Sequence, residues 1–366
     1  MPLPRIRLLA AVTLILCVST SPGAIVRVSP EGDNSNGETW ETAYTTVSTA
    51  VSNASNGDDI WIREGIYFES IDITKRLSLS GGFAGTEEDN EFSLRDWKTQ
   101  PSVLDAVGTG ESVIDIAGVE GVILDGIHLQ NANTRDGGGV EITSGSAEIR
   151  NCIIEKNLVV HGGGVRCSDG SVTIRNSVIE SNRAGEGGGV YVFVGASASI
   201  IDTTISHNIA DHGGGGINCV SPTSSTILVE RCLIESNTAE DTPLGQGGGI
   251  LSKCPGVIRD CTIRGNIADR GGGLAIDGVT VENCIIEENR THGDSFGFGD
   301  GGGIKAGLSG GLSNSSRVNG CVIRNNRDVD FGGGLDVTGG ELFVSECSIT
   351  GNVVQDSDLL PKNWSM

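Results

Sequence analysis

Eight times along this chain an isoleucine stands three residues ahead of an asparagine. The pairs are Ile154/Asn157, Ile179/Asn182, Ile205/Asn208, Ile234/Asn237, Ile263/Asn266, Ile286/Asn289, Ile323/Asn326 and Ile349/Asn352. A triple glycine precedes each pair, beginning at Gly137, Gly162, Gly187, Gly213, Gly247, Gly271, Gly301 and Gly332. Successive asparagines are 25, 26, 29, 29, 23, 37 and 26 residues apart. A period near that length means a solenoid whose repeats stack on one another, not a row of separate globular units.

Residues 171–189 give the clearest repeat. Val172, Ile174, Ser177, Ile179 and Asn182 are expected to point inward, and Thr173, Arg175, Val178 and Glu180 outward. This is strand alternation with a one-residue phase shift at Asn176. Residues 183–186 read as a surface loop, after which the glycines turn the chain into a strand from Val190. The expected coil therefore has three short strands and three corners, and the fold class is an all-β parallel β-helix. Each inward position becomes a column along the axis: asparagine amides hydrogen-bond up and down the stack, and isoleucines fill the dry core beside them. The ladder asparagines are thus assigned a structural role and no chemistry. Gly is abundant, 56 of 366 residues, but it recurs at fixed places in a repeat rich in Ile and Val, which means ordered turns.

Six cysteines, Cys152, Cys232, Cys261, Cys284, Cys321 and Cys347, share one repeat position, filled by Ser177 and Thr203 in two other coils. A site common to Cys, Ser and Thr requires a small buried side chain, so a stack of free thiols is expected. Cys167, Cys219 and Cys254 follow glycine triplets, and one bridge, Cys219 to Cys254, is expected among them.

The first residues have the form of an export signal: Arg5 and Arg7, an apolar stretch over 8–18, and a small-residue exit at Ser21-Pro22-Gly23-Ala24. The apolar stretch is too short to span a bilayer, and no transmembrane segment is expected elsewhere. The expected location is secreted or cell-surface. Losing Arg5 and Arg7 with the leader moves the formal charge from −22 to −24. Such an acidic chain disfavours nucleic acid as a partner and leaves cations, basic surfaces and glycans. The expected order is a signal peptide over 1–23, an N-terminal cap with irregular first coils over 24–105, β-helix repeats over 106–352 and a tail over 353–366.

The Gly-Gly-x-hydrophobic elements and the Ile-x-x-Asn elements resemble the repeats of polymorphic outer-membrane proteins, with Ile in place of an aromatic residue. The resemblance covers about residues 136–352. It implies a right-handed parallel β-helix of the pectin-lyase-like superfamily, without an outer-membrane barrel. The stretch before the repeats looks like the opening of many exported bacterial β-helix proteins, in which a short helix caps the first coil. Here Trp40, Tyr44, Val47 and Val51 within 39–53 have helical spacing, and Gly81-Gly82-Phe83-Ala84-Gly85, Arg95-Asp96-Trp97 and Leu104-Asp105 follow.

Candidate functional residues lie on outward rows and corner loops. Two residues before each ladder asparagine stand Glu155, Glu180, Ser206, Glu235, Arg264, Glu287, Arg324 and Thr350. Charge alternates from Glu235 to Arg324, as in cross-strand ion pairs. Glu155 and Glu180 are like charges on adjacent rungs with no evident cation between them, which offers a Ca²⁺ site or a raised pKa. The loop before each glycine triplet forms a ridge displaying Asp136, His161, Glu186, Asp211, His212, Asp269, Arg270, Asp300 and Asp330. Loops are longer at 238–246 and 290–300, and irregular loops on one edge of a regular scaffold are where binding resides. The ridge is thus a candidate site for cations or for a glycan lying along the axis.

Gly307-Leu308-Ser309-Gly310-Gly311 has the Gly-x-Ser-x-Gly spacing but not the strand and helix that a nucleophile elbow needs. The glycine triplets lack the Lys-Ser/Thr of a phosphate loop. Two function classes remain. One is an exported, non-catalytic β-helix that binds a glycan, a surface or a protein partner along the solenoid. The alternative, which the superfamily resemblance implies, is a pectate-lyase-like polysaccharide lyase, or a glycoside hydrolase, acting on acidic polysaccharide. For that chemistry Glu235 and Arg264 are the residues to consider, although no segment matches the superfamily's arginine-containing catalytic motif. Binding is the preferred reading.

Overall fold

The computed structural model describes residues 23–221, 224–240, 245–292, 300–308, 314–329 and 331–354. The signal segment, most of the tail, Asp330, the Gly-x-Ser-x-Gly serine and the middles of both long loops lie outside the described residues. Within them the chain winds as one parallel solenoid. Strands pair in parallel with their counterparts one coil away and build sheets of twelve, eleven, seven and ten described strands.

A coil carries four short strands, not three. After Ser171–Arg175 and Val178–Glu180, residues Arg183–Glu186 form a strand of their own before Val190–Val192. The Arg183 N–H donates to the Asn157 carbonyl at 2.9 Å, and Arg183 and Ala184 pair with Ile209 and Ala210 of the next coil. The expected bend at Asn176 is present with φ 45°, and a second left-handed residue, Ser181 with φ 56°, precedes the ladder asparagine.

The ladder satisfies every polar atom that it buries. The Asn208 side-chain oxygen accepts from the Asn182 backbone N–H and from Asn182 Nδ2, each at 3.0 Å. Its own Nδ2 donates to the Ile179 carbonyl at 2.9 Å and to Asn237 Oδ1 at 3.0 Å. The column runs on unchanged through Asn266, Asn289 and Asn326, although the coils there differ most in length. Asn266 Oδ1 accepts the Asn237 backbone N–H at 2.9 Å, Asn289 Oδ1 that of Asn266 at 3.0 Å, and Asn326 Oδ1 that of Asn289 at 3.0 Å. Their Nδ2 groups donate to the carbonyls of Ile234, Ile263 and Ile286 at 3.0, 2.9 and 2.9 Å. Extra residues in the longer coils are therefore taken up outside the column. The isoleucines beside the ladder, from Ile154 to Ile323, are fully buried, each gaining on the order of 1.5–3 kcal/mol.

The cysteine position is a second, weaker ladder rather than a purely apolar one. The Cys232 N–H donates to Cys261 Sγ at 3.4 Å, and the Cys152 N–H to Ser177 Oγ at 3.2 Å. Each side chain turns back to the carbonyl two residues earlier, as Ser177 does to Arg175 at 2.8 Å. A small side chain that both donates and accepts is what unites Cys, Ser and Thr there. All six thiols are free, and burial pushes Cys152 up to about 12. The Cys219–Cys254 disulfide is present, with a Cα–Cα distance of 5.7 Å, and Cys167 is free.

Glycine has two separate roles in the triplets. Only the first takes a left-handed conformation, as at Gly187 with φ 64°. The second is required by close approach: a Cβ on Gly163 would stand 2.2 Å from the Gly188 carbonyl oxygen of the next coil. In the run Gly213–Gly216 the left-handed residue is Gly214, one later than the sequence period places it.

The helix is shorter than its spacing suggests, covering Val47–Asn53. Tyr44 is held in a bridge to Val28, so the helix starts only at Thr46, whose hydroxyl accepts the Thr49 N–H at 3.2 Å. Its buried face of Val47, Ala50 and Val51 packs on the first coils, which already belong to the same sheets as the repeats. No described helix is long and apolar enough to cross a membrane.

Candidate functional site

The ten-stranded sheet follows the glycine triplets, and its inward residues, such as Val190 and Val192, fill the core. The residues between them face outward and should be solvated. Several are buried instead. Glu141, Tyr191, Asn218, Leu251 and Lys305 each have 6% exposure or less. They stand on one outward row, in which Glu141 pairs with Arg166, Arg166 with Tyr191, Tyr191 with Asn218, and Asn218 with Leu251. The ridge forms one wall of the resulting groove, through bridges that link Asp136 to His161, His161 to Glu186, Gly213 to Gln246 and Arg270 to Asp300. Residues beyond the strands, including Val220, Lys253 and Leu308, form the other wall.

Chemistry changes along the groove. Its first coils are acidic: Asp72, Asp115 and Glu141 are consecutive in register. Burial, reinforced by Asp72 and Glu111, raises the Asp115 pKa. Burial also raises Glu141 against the opposing charge of Arg166, with which it forms an ion pair. The middle is aromatic. His161 and Tyr191 stack with ring centroids 6.0 Å apart, and Tyr191 and Phe193 at 5.5 Å. Burial and then the Glu186 carboxylate raise the Tyr191 hydroxyl. Next comes a cavity of about 250 Å³ lined by Glu186, His212, Gly213, Asn218, Val220, Gln246, Leu251 and Lys253. Two buried atoms of this lining, Asn218 Oδ1 and Gln246 Oε1, have no hydrogen-bond partner among the described residues. The same holds for Glu141 Oε2 and Arg166 Nε further up the groove.

The structure distributes the ridge candidates unequally. Asp136 and His161 are joined, Oδ1 to Nδ1, at 2.6 Å. Glu186 and His212 line the cavity. A register shift after Ala184 brings Gly213 opposite Glu186, so Asp211 turns to Arg183 at 2.7 Å. Asp269, expected on an exposed ridge, has a fully buried side chain paired with His292 at 2.7 Å. Asp300 lies between Lys305, at 3.2 Å, and Arg270, at 3.5 Å.

The ladder asparagines take no part in the site. Asn266, Asn289 and Asn326 are fully buried, as are Asn208 and Asn237, and Asn157 and Asn182 nearly so. Their amides are consumed within the column, so no ligand on the outer surface reaches Asn266, Asn289 or Asn326, and Asn352, partly exposed, closes the described end of the same column.

The other candidates sit on the eleven-stranded sheet, away from the groove. Glu155 and Glu180 are adjacent in register, but Glu155 does have partners beside it: His128 Nε2 at 2.9 Å and the Lys156 ammonium at 2.7 Å. Against the cost of burial, these hold the Glu155 pKa below its ordinary value. Ca²⁺ takes six to eight oxygens. The two carboxylates alone supply at most four of these, and no group of three or more His, Cys, Asp or Glu side chains able to hold a metal occurs among the described residues. Arg264 donates to Glu235 at 2.6 Å, and this hydrogen bond raises the Arg264 pKa, the opposite of what a base requires. The alternating pairs continue with Arg324 and Glu287 at 2.7 Å.

Sequence reasoning missed the groove row itself: Glu141, Arg166, Tyr191, Asn218, Leu251 and Lys305. The available signal was their variety. Two residues after each triplet stands an acid, a base, an aromatic, an amide or an aliphatic residue, where a plain solvated strand needs only polar ones.

Residues 112–278 match the family model described as right handed beta helix region. The chain is a right-handed parallel β-helix with the pectin-lyase-like fold. Among solved structures it is similar to pectate lyase Pel9A, at 16% identity and a TM-score of 0.53, over 94% of this chain and 83% of that one. It is also similar to a polygalacturonase from Erwinia carotovora ssp. carotovora, at 9% identity and a TM-score of 0.44, over 94% and 97% of the two chains. A third is the A-module of the Azotobacter vinelandii mannuronan C-5 epimerase AlgE6, at 14% identity and a TM-score of 0.45, over 83% and 94%. No curated protein sequence matches the chain.

Proposed function

We propose that this is an exported, non-catalytic β-helix protein that binds a glycan in the groove over the ten-stranded sheet. The observation that carries the reading is the pair of buried acceptors, Asn218 Oδ1 and Gln246 Oε1, beside the same cavity without a protein donor. A buried acceptor left unpaired costs about 1–3 kcal/mol, so the site favours a ligand that brings donors. Sugar hydroxyls supply them, and the flanking Leu251 and Val220 suit the apolar face of a sugar ring. The stacked His161, Tyr191 and Phe193 would border the neighbouring sugar units. Export is supported by the Cys219–Cys254 disulfide, a bond that persists in oxidising compartments. The polysaccharide-active enzymes among the solved structures agree with a carbohydrate ligand, through the fold alone.

The test is incubation of the mature protein with a panel of neutral and acidic polysaccharides, with and without Ca²⁺. Retention on one glycan without cleavage, weakened about tenfold or more by Asn218→Ala, is the expected result. Release of unsaturated sugars that absorb in the near ultraviolet would replace the binding reading with a lyase.

A further inference from the structure

The seven-stranded sheet carries a feature that the groove does not use. Arg290 and Arg327 stand directly opposite each other on neighbouring rungs of its outward face, and both are exposed. Like charges so placed destabilise a sheet unless something neutralises them. In the middle coils neutralisation is the rule, whereas Arg76, Arg135 and Arg317 elsewhere also have no ion pair among the described residues. Every arginine from Arg150 to Arg270 has a carboxylate within ion-pair distance, including Arg183 at the start of the same sheet, which holds Asp211 and Glu240 at 2.7 Å each. Arg290 and Arg327 have no ion pair and no side-chain hydrogen bond among the described residues, although the sequence holds 47 acidic residues against 25 basic ones.

The two guanidinium groups are also part of a concavity. A cleft of about 450 Å³ is lined by Glu288, Arg290, Asn325, Arg327, Gly351 and Val353. Glu288, Asn325 and Gly351 occupy the left-handed corner of three successive coils, with φ 57°, 56° and 65°. A Cβ at Gly351 would stand 2.5 Å from Asn325 Oδ1, so glycine leaves that amide open beside the arginines. Glu288 is exposed at the rim and pairs with neither arginine.

We propose that this cleft is an oxyanion site, in which Arg290 and Arg327 together hold one carboxylate or sulfate group of an acidic glycan. Guanidinium forks suit this task because their planar N–H pairs match such oxygens two at a time. A second rung of charge at about 4.8 Å allows one anion to touch both. The cleft opens on a different sheet from the groove, so it is a separate subsite: a sugar held through hydroxyls alone would not engage it.

The test uses the mature protein labelled with ¹⁵N-arginine, observing the Nε–H resonances and assigning two of them with Arg290→Lys and Arg327→Lys. Trigalacturonate, inorganic sulfate and neutral maltotriose are titrated separately at low ionic strength. Both resonances are expected to move together with an oxyanion and to stay still with maltotriose. The Arg290→Gln/Arg327→Gln double variant is expected to bind that oxyanion at least about tenfold more weakly. A response to trigalacturonate alone assigns a carboxylate, a response to sulfate alone assigns a sulfate ester, and either supports the site. Absence of movement with both oxyanions overturns it, as does equal movement of the exposed Arg135, which would mean diffuse counter-ion screening. Asn218→Ala is expected to leave the titration unchanged, so that failure of the groove and failure of the cleft are told apart.

Discussion

Asn208→Ala tests the ladder at its centre. The asparagine is fully buried and makes four side-chain hydrogen bonds to the coils above and below. Alanine leaves the Asn182 backbone N–H, one Asn182 side-chain N–H and the Ile179 carbonyl without these partners. The Asn237 oxygen keeps the Asn208 backbone N–H at 3.0 Å and so is still served. Three stranded groups at about 1–2 kcal/mol each give a loss of about 4 kcal/mol. Urea unfolding followed by far-ultraviolet circular dichroism measures the total. A stacked array need not unfold in one step, so hydrogen exchange at the Asn182 amide supplies the local readout. The same change at Asn352, which is partly exposed, should cost only about 1 kcal/mol, because water replaces the missing amide there. Equal losses at the two positions, or a loss below about 1 kcal/mol at Asn208 with unchanged protection of Asn182, would refute the argument that satisfied burial gives the ladder its value.

Other perturbations probe separate parts of the molecule. The Cys219→Ser/Cys254→Ser double variant should lose about 3–4 kcal/mol, the loop-closure entropy for residues separated by 35 in sequence, measured by denaturant unfolding against the oxidised parent. Iodoacetamide at pH 8 should modify the partly exposed Cys347 in the native protein but leave Cys152 and Cys261, both pushed up to about 12, unmodified until denaturant is added; peptide mass mapping reads this out. Asp125 is buried, yet hydrogen bonds from Arg95, Asn151 and Arg150 outweigh that burial and lower its pKa. A depressed folded pKa adds stability that is fully present above the unfolded value of about 3.9 and is lost as pH falls through the folded value. Asp125→Asn should therefore cost about 3 kcal/mol at pH 7, with the gap to the parent closing on acidification below about pH 4; a gap independent of pH would sink that assignment.

What the sequence disclosed follows from what a coil must share with its neighbours. Asn182 sits between two other asparagines whose amides it must match, so the residue type repeats and the column can be read directly. Between Asn289 and Asn326 the spacing stretches to 37 residues, yet the amide contact is kept at 3.0 Å, because the insertion falls in the loops and leaves the column intact. Cys219 and Cys254 were legible as a bridge because they fall outside the repeated thiol position. The strand Arg183–Glu186 was not, since with Ala184 as its one buried residue no alternation can show. Nor was the start of the helix: Trp40 and Tyr44 have helical spacing, but Tyr44 is committed to Val28 and Trp40 to the Glu87 carbonyl at 2.9 Å, long-range contacts that override local periodicity. Asp269 read as a surface acid because the corresponding loop position is exposed in coils such as that of Arg135, and its pairing with His292 offsets the cost of its burial.

Stacking also explains why function is hardest to read where the columns are most regular. An inward position is answerable to the coils on both sides, and a change there propagates into unsatisfied amides or lost packing. An outward position meets solvent, a loop, a ligand or the outward side chain of the next coil, as Arg264 meets Glu235, so each coil is freer to place a different residue. The row Glu141, Arg166, Tyr191, Asn218 and Leu251 has this freedom while being buried beneath the ridge. Burial without repetition cannot be explained by the needs of the solenoid, because the solenoid is satisfied by the inward residues alone. The same argument applies in mirror image to Arg290 and Arg327, which repeat across two rungs where repetition of charge is unfavourable. In both places the departure from what the coil requires marks where something other than another coil is expected to bind.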